Sequence, residues 1–140
     1  MYDYRGTDKM AGVKNALFFD VFNNKIEPLK IEDSLETLYE YLKCDTIEIR
    51  KRKVGNKYYS FVVDENGLFA DKVITSAIDS DCQIQFVGNI LVFGLIENGE
   101  LTGLTDGDLC NLINHFQHVN EYDDNHVLQS VRAMFVGVDY

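Results

Sequence analysis

Three histidines, His115, His118 and His126, follow one another closely beside Cys110, Asp123 and Asp124. Imidazole, thiolate and carboxylate together could hold a metal. Zinc, however, wants four such donors in a closed shell, and this spacing follows no finger or metalloprotease pattern. His115 and His118, at i and i+3, would share a helix face only if a helix persists that far. A histidinium at a helix end also suits the helix dipole without any metal. No metal and no cofactor is expected.

Nucleophilic catalysis has no firmer footing. Cys110 and His115 are five positions apart on one presumed helix, about 140° around its axis, and so poorly placed to meet. The chain has no Gly-x-Gly-x-x-Gly, no P-loop and no His-Glu-x-x-His. We expect no catalytic residues and no enzyme activity.

Two charged regions remain. Arg50-Lys51-Arg52-Lys53, with Lys57, Tyr58 and Tyr59 following, is the one basic cluster. Cations beside aromatic rings suit phosphate and nucleotides, so Arg50, Arg52, Lys53, Lys57, Tyr58 and Tyr59 form a candidate anion site. The competing reading is the solvated face of an edge strand, where charge blocks sheet-to-sheet aggregation. The carboxyl-terminal half is the reverse: residues 73–140 hold Arg132 alone against ten carboxylates. Residues 1–72 hold the other 12 cations beside 13 acids, so the halves carry −1 and −9 of the net −10. Such polarity speaks about partners: it repels nucleic acid and membrane and attracts a basic protein surface. Glu97, Glu100, Asp106, Asp108, Glu121, Asp123 and Asp124 would form that contact surface, with Tyr122 as an aromatic anchor. Ordinary solubility is the competing explanation of the acids.

The elements that must position these groups are legible in outline. At 140 residues with 46% apolar content, the chain suits one domain that buries roughly 65–70% of its unfolded surface. We expect residues 1–14 to be a flexible arm and 15–140 a single α+β domain. Ala16 to Phe22 is an apolar run suited to a buried strand, and Asn23-Asn24 reads as the turn into Lys25–Ile31. Asp33, with Glu36 three places on, predicts a capped helix whose stripe is Leu35, Leu38, Tyr39 and Leu42. Thr46–Lys53 and Lys57–Val63 read as a long hairpin about Gly55-Asn56, and Asn66-Gly67 marks another turn. Val73, Ile74, Ala77 and Ile78 suit a short helix. Cys82–Val87 and Ile90–Ile96 read as strands about Gly88-Asn89, with a turn at Asn98-Gly99. Thr105 as N-cap with Asp108 at N3 opens a second helix, with the stripe Leu109, Leu112, Ile113 and Phe116. Val127, Leu128, Val131, Met134 and Phe135 fit helical spacing, a strand through Ala133–Val138 being the alternative. The sum is a mostly antiparallel, hairpin-joined sheet with two or three helices on one face.

No stretch is apolar for long enough to span a bilayer, and the start carries no export signal. Cys44, Cys82 and Cys110 are far apart and odd in number, as expected of reduced, largely buried thiols in a cytoplasm.

Several segments, taken in order, resemble a known family. They are Leu29-Lys30-Ile31, Asp33-Ser34-Leu35-Glu36-x-Leu38, Ile47-Glu48 and Val63-Asp64-Glu65-Asn66-Gly67-Leu68. Val87-Gly88-Asn89-Ile90-Leu91-Val92-x-Gly94 and Leu104-Thr105-Asp106-x-Asp108-Leu109 follow. Over about residues 16–116 this succession is similar to the domain of unknown function 3846 family, small proteins of phages, plasmids and integrative elements in bacteria. The chain departs from it at Lys43-Cys44-Asp45, where the family often has Gly-Gly. It departs again at Ala70-Asp71-Lys72, where the family often has Leu-Pro-x-Asn. The resemblance implies a mobile-element origin and a compact cytosolic fold, and it implies no activity. The leading expectation is a non-enzymatic accessory protein that binds, and inhibits, a host defence protein through an acidic, nucleic-acid-mimicking surface. A binder of an anionic signalling nucleotide through the Arg50–Tyr59 segment is the alternative. No direct contact with nucleic acid or membrane is expected, and a homodimer is left open.

Overall fold

The computed structural model describes residues 12–23, 25–66, 75–78, 84–122, 124–126, 128–135 and 138–139. Most of the expected arm lies outside them, and Val13 and Lys14 already belong to the first strand. In chain order the elements are β1 (Val13–Asp20), β2 (Lys25–Glu32), α1 (Leu35–Leu42), β3 (Ile47–Val54) and β4 (Lys57–Asp64). Next come β5 (Thr75–Ile78), β6 (Ile84–Val87), β7 (Ile90–Phe93), β8 (Ile96–Glu97) and β9 (Glu100–Leu101). Finally α2 (Asp106–Asn114), β10 (Phe116–Tyr122), β11 (Leu128–Phe135) and β12 (Val138–Asp139) complete the chain.

The main sheet has the order β12-β3-β4-β7-β1-β2. Two hairpins, β1–β2 and β3–β4, are joined by β7, which pairs antiparallel with both β1 and β4. Its four residues are all buried. A second sheet, β10-β11-β5-β6, is antiparallel except where β11 runs parallel to β5. Pro28 sits in β2, at the rim of the main sheet, the kind of strand in which proline is tolerated.

The central strands are apolar on both sides because both sheet faces are covered. Leu17, Phe19, Tyr59, Phe61, Ile90 and Val92 pack with Leu112 of α2 and with Phe86 of β6. The intervening Ala16, Phe18, Val62, Leu91 and Phe93 pack with Leu38 and Leu42 of α1. The α+β architecture is as expected, but the two helices lie on opposite faces instead of sharing one. On the first face Phe61 and Phe86 stack, with ring centroids 5.4 Å apart.

Side-chain hydrogen bonds fasten the ends. Asn89, 2% exposed, accepts from the Val21 amide at 3.0 Å and donates to the Tyr41 carbonyl at 2.8 Å, tying the β1–β2 turn to α1. Asn98 (φ 53) and Gly99 (φ 80) are both left-handed, which is the two-residue turn that closes the β8–β9 hairpin.

Several expectations are corrected. Ser34, not Asp33, caps α1, accepting from the Thr37 amide. Asp33 is buried one place earlier and pairs with Lys14, which also donates to the Leu101 carbonyl. The helix expected around Ala77 and Ile78 is strand β5, and the one expected from Val127 to Phe135 is β11. Pairing with β5 and β10 outweighs local helical spacing there. α2 stops at Asn114, so Phe116 and His118 belong to β10. Strand β3 lies next to the rim: β12 pairs with Lys53 and Val54 alone, so among the described residues 47–52 keep an outer edge, as the edge-strand reading of the basic cluster expects. Gly67 of the Asn66-Gly67 turn lies outside the described residues, as do Val73, Ile74 and Cys82.

Candidate functional site

Where β3 turns into β4, Gly55 (φ 65) and Asn56 carry the chain past the side of α2. A β-carbon on Gly55 would stand 2.7 Å from Asn111 Oδ1 and 3.3 Å from His115 Nε2. Glycine is therefore required for space as well as for its dihedral. The result is a cleft of about 440 Å³ lined by Gly55, Asn56, Lys57, Tyr59, Gly107, Asp108, Asn111 and His115.

Its floor is a hydrogen-bond network centred on Asp108. Thr105 and Asp108 form a reciprocal capping box: the Asp108 amide donates to Thr105 Oγ1 at 3.1 Å, and the Thr105 amide donates to Asp108 Oδ2 at 2.9 Å. The other carboxylate oxygen, Oδ1, accepts from Lys57 Nζ at 2.6 Å and from the Tyr59 hydroxyl at 3.1 Å. Asn111 Nδ2 donates to the Tyr59 oxygen and to the Val54 carbonyl, each at 2.9 Å. Tyr59 is fully buried and Asp108 is 4% exposed, so β4 and α2 are joined by polar groups inside the fold.

The electrostatics follow from these contacts. Burial alone would push the Asp108 carboxyl up, but Lys57, the Thr105 amide and hydroxyl, and Tyr59 together hold it below its ordinary value. The Asp108 carboxylate raises the Lys57 ammonium, and Glu97 adds to the same effect. Burial pushes the Tyr59 phenol up, with the Asn111 amide opposing and Asp108 assisting. His115 ends α2, and its Nδ1 lies 2.7 Å from the Asn111 carbonyl oxygen. A carbonyl can only accept, so Nδ1 is the donor in this contact, and the tautomer it selects leaves Nε2 as the acceptor nitrogen.

The sequence-predicted residues divide unevenly around this site. Asp108, expected on a contact surface, is withdrawn into the fold by three donors, Lys57, the Tyr59 hydroxyl and the Thr105 amide. Glu97 is exposed on β8, Glu100 is partly exposed on β9, and Asp106 is exposed as the first residue of α2. Glu121 and Tyr122 end β10, Asp124 is exposed, and Asp123 lies outside the described residues.

The basic cluster is split by the strand pleat. Register places Arg50, Arg52, Lys57 and Tyr59 on the α2 side, while Lys51, Lys53 and Tyr58 point to the α1 side. Arg50 pairs with Glu48, Arg52 lies over the Phe86 ring at 5.6 Å, and Lys57 pairs with Asp108. Lys51 and Lys53 rest 4.7 and 5.9 Å from the Tyr58 ring centre. The six residues of the candidate anion site therefore do not form one site.

Among the described residues, no three His, Cys, Asp or Glu side chains gather as metal ligands. His115 caps α2, His118 stands in β10, and His126 and Cys110 are exposed. A separate open groove by α1, lined by Tyr39, Glu40, Lys43, Cys44, Asp45, Asp64 and Asn66, contains no activated nucleophile. Burial, with Asp64 and Asp45 adding, pushes the Cys44 thiol up to about 12.

A two-faced α+β sheet with a polar cleft where α2 meets the β3–β4 turn defines the kind of domain this is. The chain belongs to the family described as domain of unknown function (DUF3846), whose model matches residues 14–118. All eight residues lining the cleft fall within that match. No curated protein and no solved structure matches the chain. No helix among the described residues is long and apolar enough to cross a membrane.

Proposed function

We propose that this is a non-catalytic binding protein of a phage or other mobile element, engaging a basic surface on a host defence protein and blocking it. The observation that carries the reading is the charge asymmetry, one cation against ten carboxylates in residues 73–140. Support comes from Glu97 and Asp106 being exposed and Glu100 partly exposed, with Glu97 close enough to act on Lys57 of the cleft. Asp108 helps by holding Lys57 in place and no longer belongs to the contact surface. Complementary charge of this kind acts mainly on association rate and choice of partner, and it weakens with salt. The test is capture of a host protein at low and high salt, with Glu97→Lys, Glu100→Lys and Asp106→Lys combined as the control. Retention of the same protein by the triple variant would refute the reading.

A second reading, sequestration of an anionic nucleotide, draws on one observation. Lys51 and Lys53 flank Tyr58, a residue 41% exposed, on the α1 side of the sheet. Two ammonium groups beside an open ring suit a phosphate and a base. Thermal shift against a nucleotide panel decides it, and the absence of stabilisation by every anion tested would remove it.

A further inference from the structure

We infer that the cleft between the β3–β4 turn and α2 receives a basic side chain, a guanidinium above all, presented by the protein partner. This deepens the acidic-surface reading and rests on it for the identity of the occupant as protein.

Two acceptor atoms at the cleft carry the inference. Asn111 gives both amide hydrogens away, to the Val54 carbonyl and the Tyr59 oxygen, which fixes the orientation of its side chain. Its Oδ1 has no hydrogen bond among the described residues. His115 likewise spends its Nδ1 proton on the Asn111 carbonyl, and its Nε2 has no hydrogen bond among the described residues. Both atoms lie within 3.3 Å of the one point where a side chain at position 55 would begin. Two neighbouring acceptors beside Gly55, held by a hydrogen-bond network at the cleft, select a donor, and a guanidinium offers several donors in one plane.

Charge points the same way. Asp108 already neutralises Lys57, whose side chain is half exposed at the mouth. Glu97 acts on the same ammonium, and Asp106 stands in the same helical turn as Asp108. An entering anion would meet carboxylates and two lone pairs. An entering cation meets the carboxylates of Glu97 and Asp106, while on the same side of the sheet Lys57 is paired with Asp108, Arg50 with Glu48, and Arg52 lies over the Phe86 ring.

The probe is N-acetyl-argininamide, which carries the side chain with uncharged ends, titrated into the full chain by two-dimensional NMR, with inorganic phosphate as comparison. Arginine-induced shifts should centre on the Gly55, Asn111 and His115 amides. His115→Ala should weaken binding by about tenfold, as expected for one hydrogen bond to a charged group. Lys57→Met should strengthen it severalfold. Shifts from phosphate but not from the arginine probe would overturn the inference, as would loss of arginine binding in Lys57→Met. Host-protein capture separates the two levels. If the acid-reversed triple variant loses its partner while the arginine probe fails to bind, the cleft inference falls and the acidic-surface reading stands. If the probe binds the cleft while the triple variant keeps its partner, the acidic-surface reading falls and the arginine site stands.

Discussion

Replacing Asp108 with alanine should cost this fold about 2–4 kcal/mol. Two separable losses make up that figure. The helix loses its capping partner, worth about 1 kcal/mol. The Tyr59 hydroxyl, fully buried, loses the acceptor for its proton, and a buried donor left without a partner costs about 1–3 kcal/mol. Lys57 is left out of the sum because its side chain is 55% exposed and regains water when the pair is broken. Asp108→Asn keeps one acceptor oxygen and should cost less, about 1–2 kcal/mol. Because the folded carboxyl sits below its ordinary value, its stabilisation is complete above the unfolded value of about 3.9 and disappears as pH falls through the folded one. The gap between the wild type and Asp108→Asn should therefore narrow on acidification from pH 6. Urea denaturation of wild type, Asp108→Ala, Asp108→Asn, Tyr59→Phe and the Asp108→Asn/Tyr59→Phe double variant measures each part. Coupling between the two sites should be at least about 0.5 kcal/mol. An alanine variant as stable as wild type, or strictly additive losses in the double variant, would refute the network as the link between β4 and α2.

Three other outcomes follow from the geometry. Asn89→Ala should lower stability by about 2 kcal/mol, since it strips partners from the Val21 amide and the Tyr41 carbonyl at a buried site; chemical denaturation reads this directly. Gly55→Ala should destabilise by at least about 1–2 kcal/mol from its left-handed backbone alone, with a further loss from contact with Asn111 Oδ1. Its thermal midpoint should fall below that of wild type, and an unchanged midpoint would mean the turn does not press on α2 as described. Cys44, with its thiol pushed up to about 12, should resist iodoacetamide at pH 8 in the native protein and react after unfolding, as peptide mass mapping would show.

Local rules made part of this fold legible. The Thr105–Asp108 capping box was readable because both partners sit within one helical turn, and the hairpin turns were readable because glycine and asparagine mark left-handed positions. Asp33 shows the limit: it satisfies the local pattern for a cap, but a lysine 19 positions away claims it, and the cap moves to Ser34. The cleft was hidden for the same reason. Tyr59 meets Asp108 and Asn111 across separations of 49 and 52 positions, and no spacing rule spans such a distance. The basic cluster could have been divided from sequence alone, because a period of two sends alternate strand residues to opposite faces. Adjacency in the chain was the wrong measure of adjacency in space. The β11 segment carries helical spacing, yet its partners on both sides impose a strand, and that decision is not local.

The central position of β7 has a bearing on how the chain comes off the ribosome. The two hairpins made first have no backbone partner in each other, and their inner margins stay open until residues 90–93 emerge to bridge them. A nascent chain paused just short of that point would display two unsealed ribbons of apolar backbone, a natural target for chaperones and a natural seed for aggregation. Once those four residues thread between them, two marginal ribbons become a single cooperative unit.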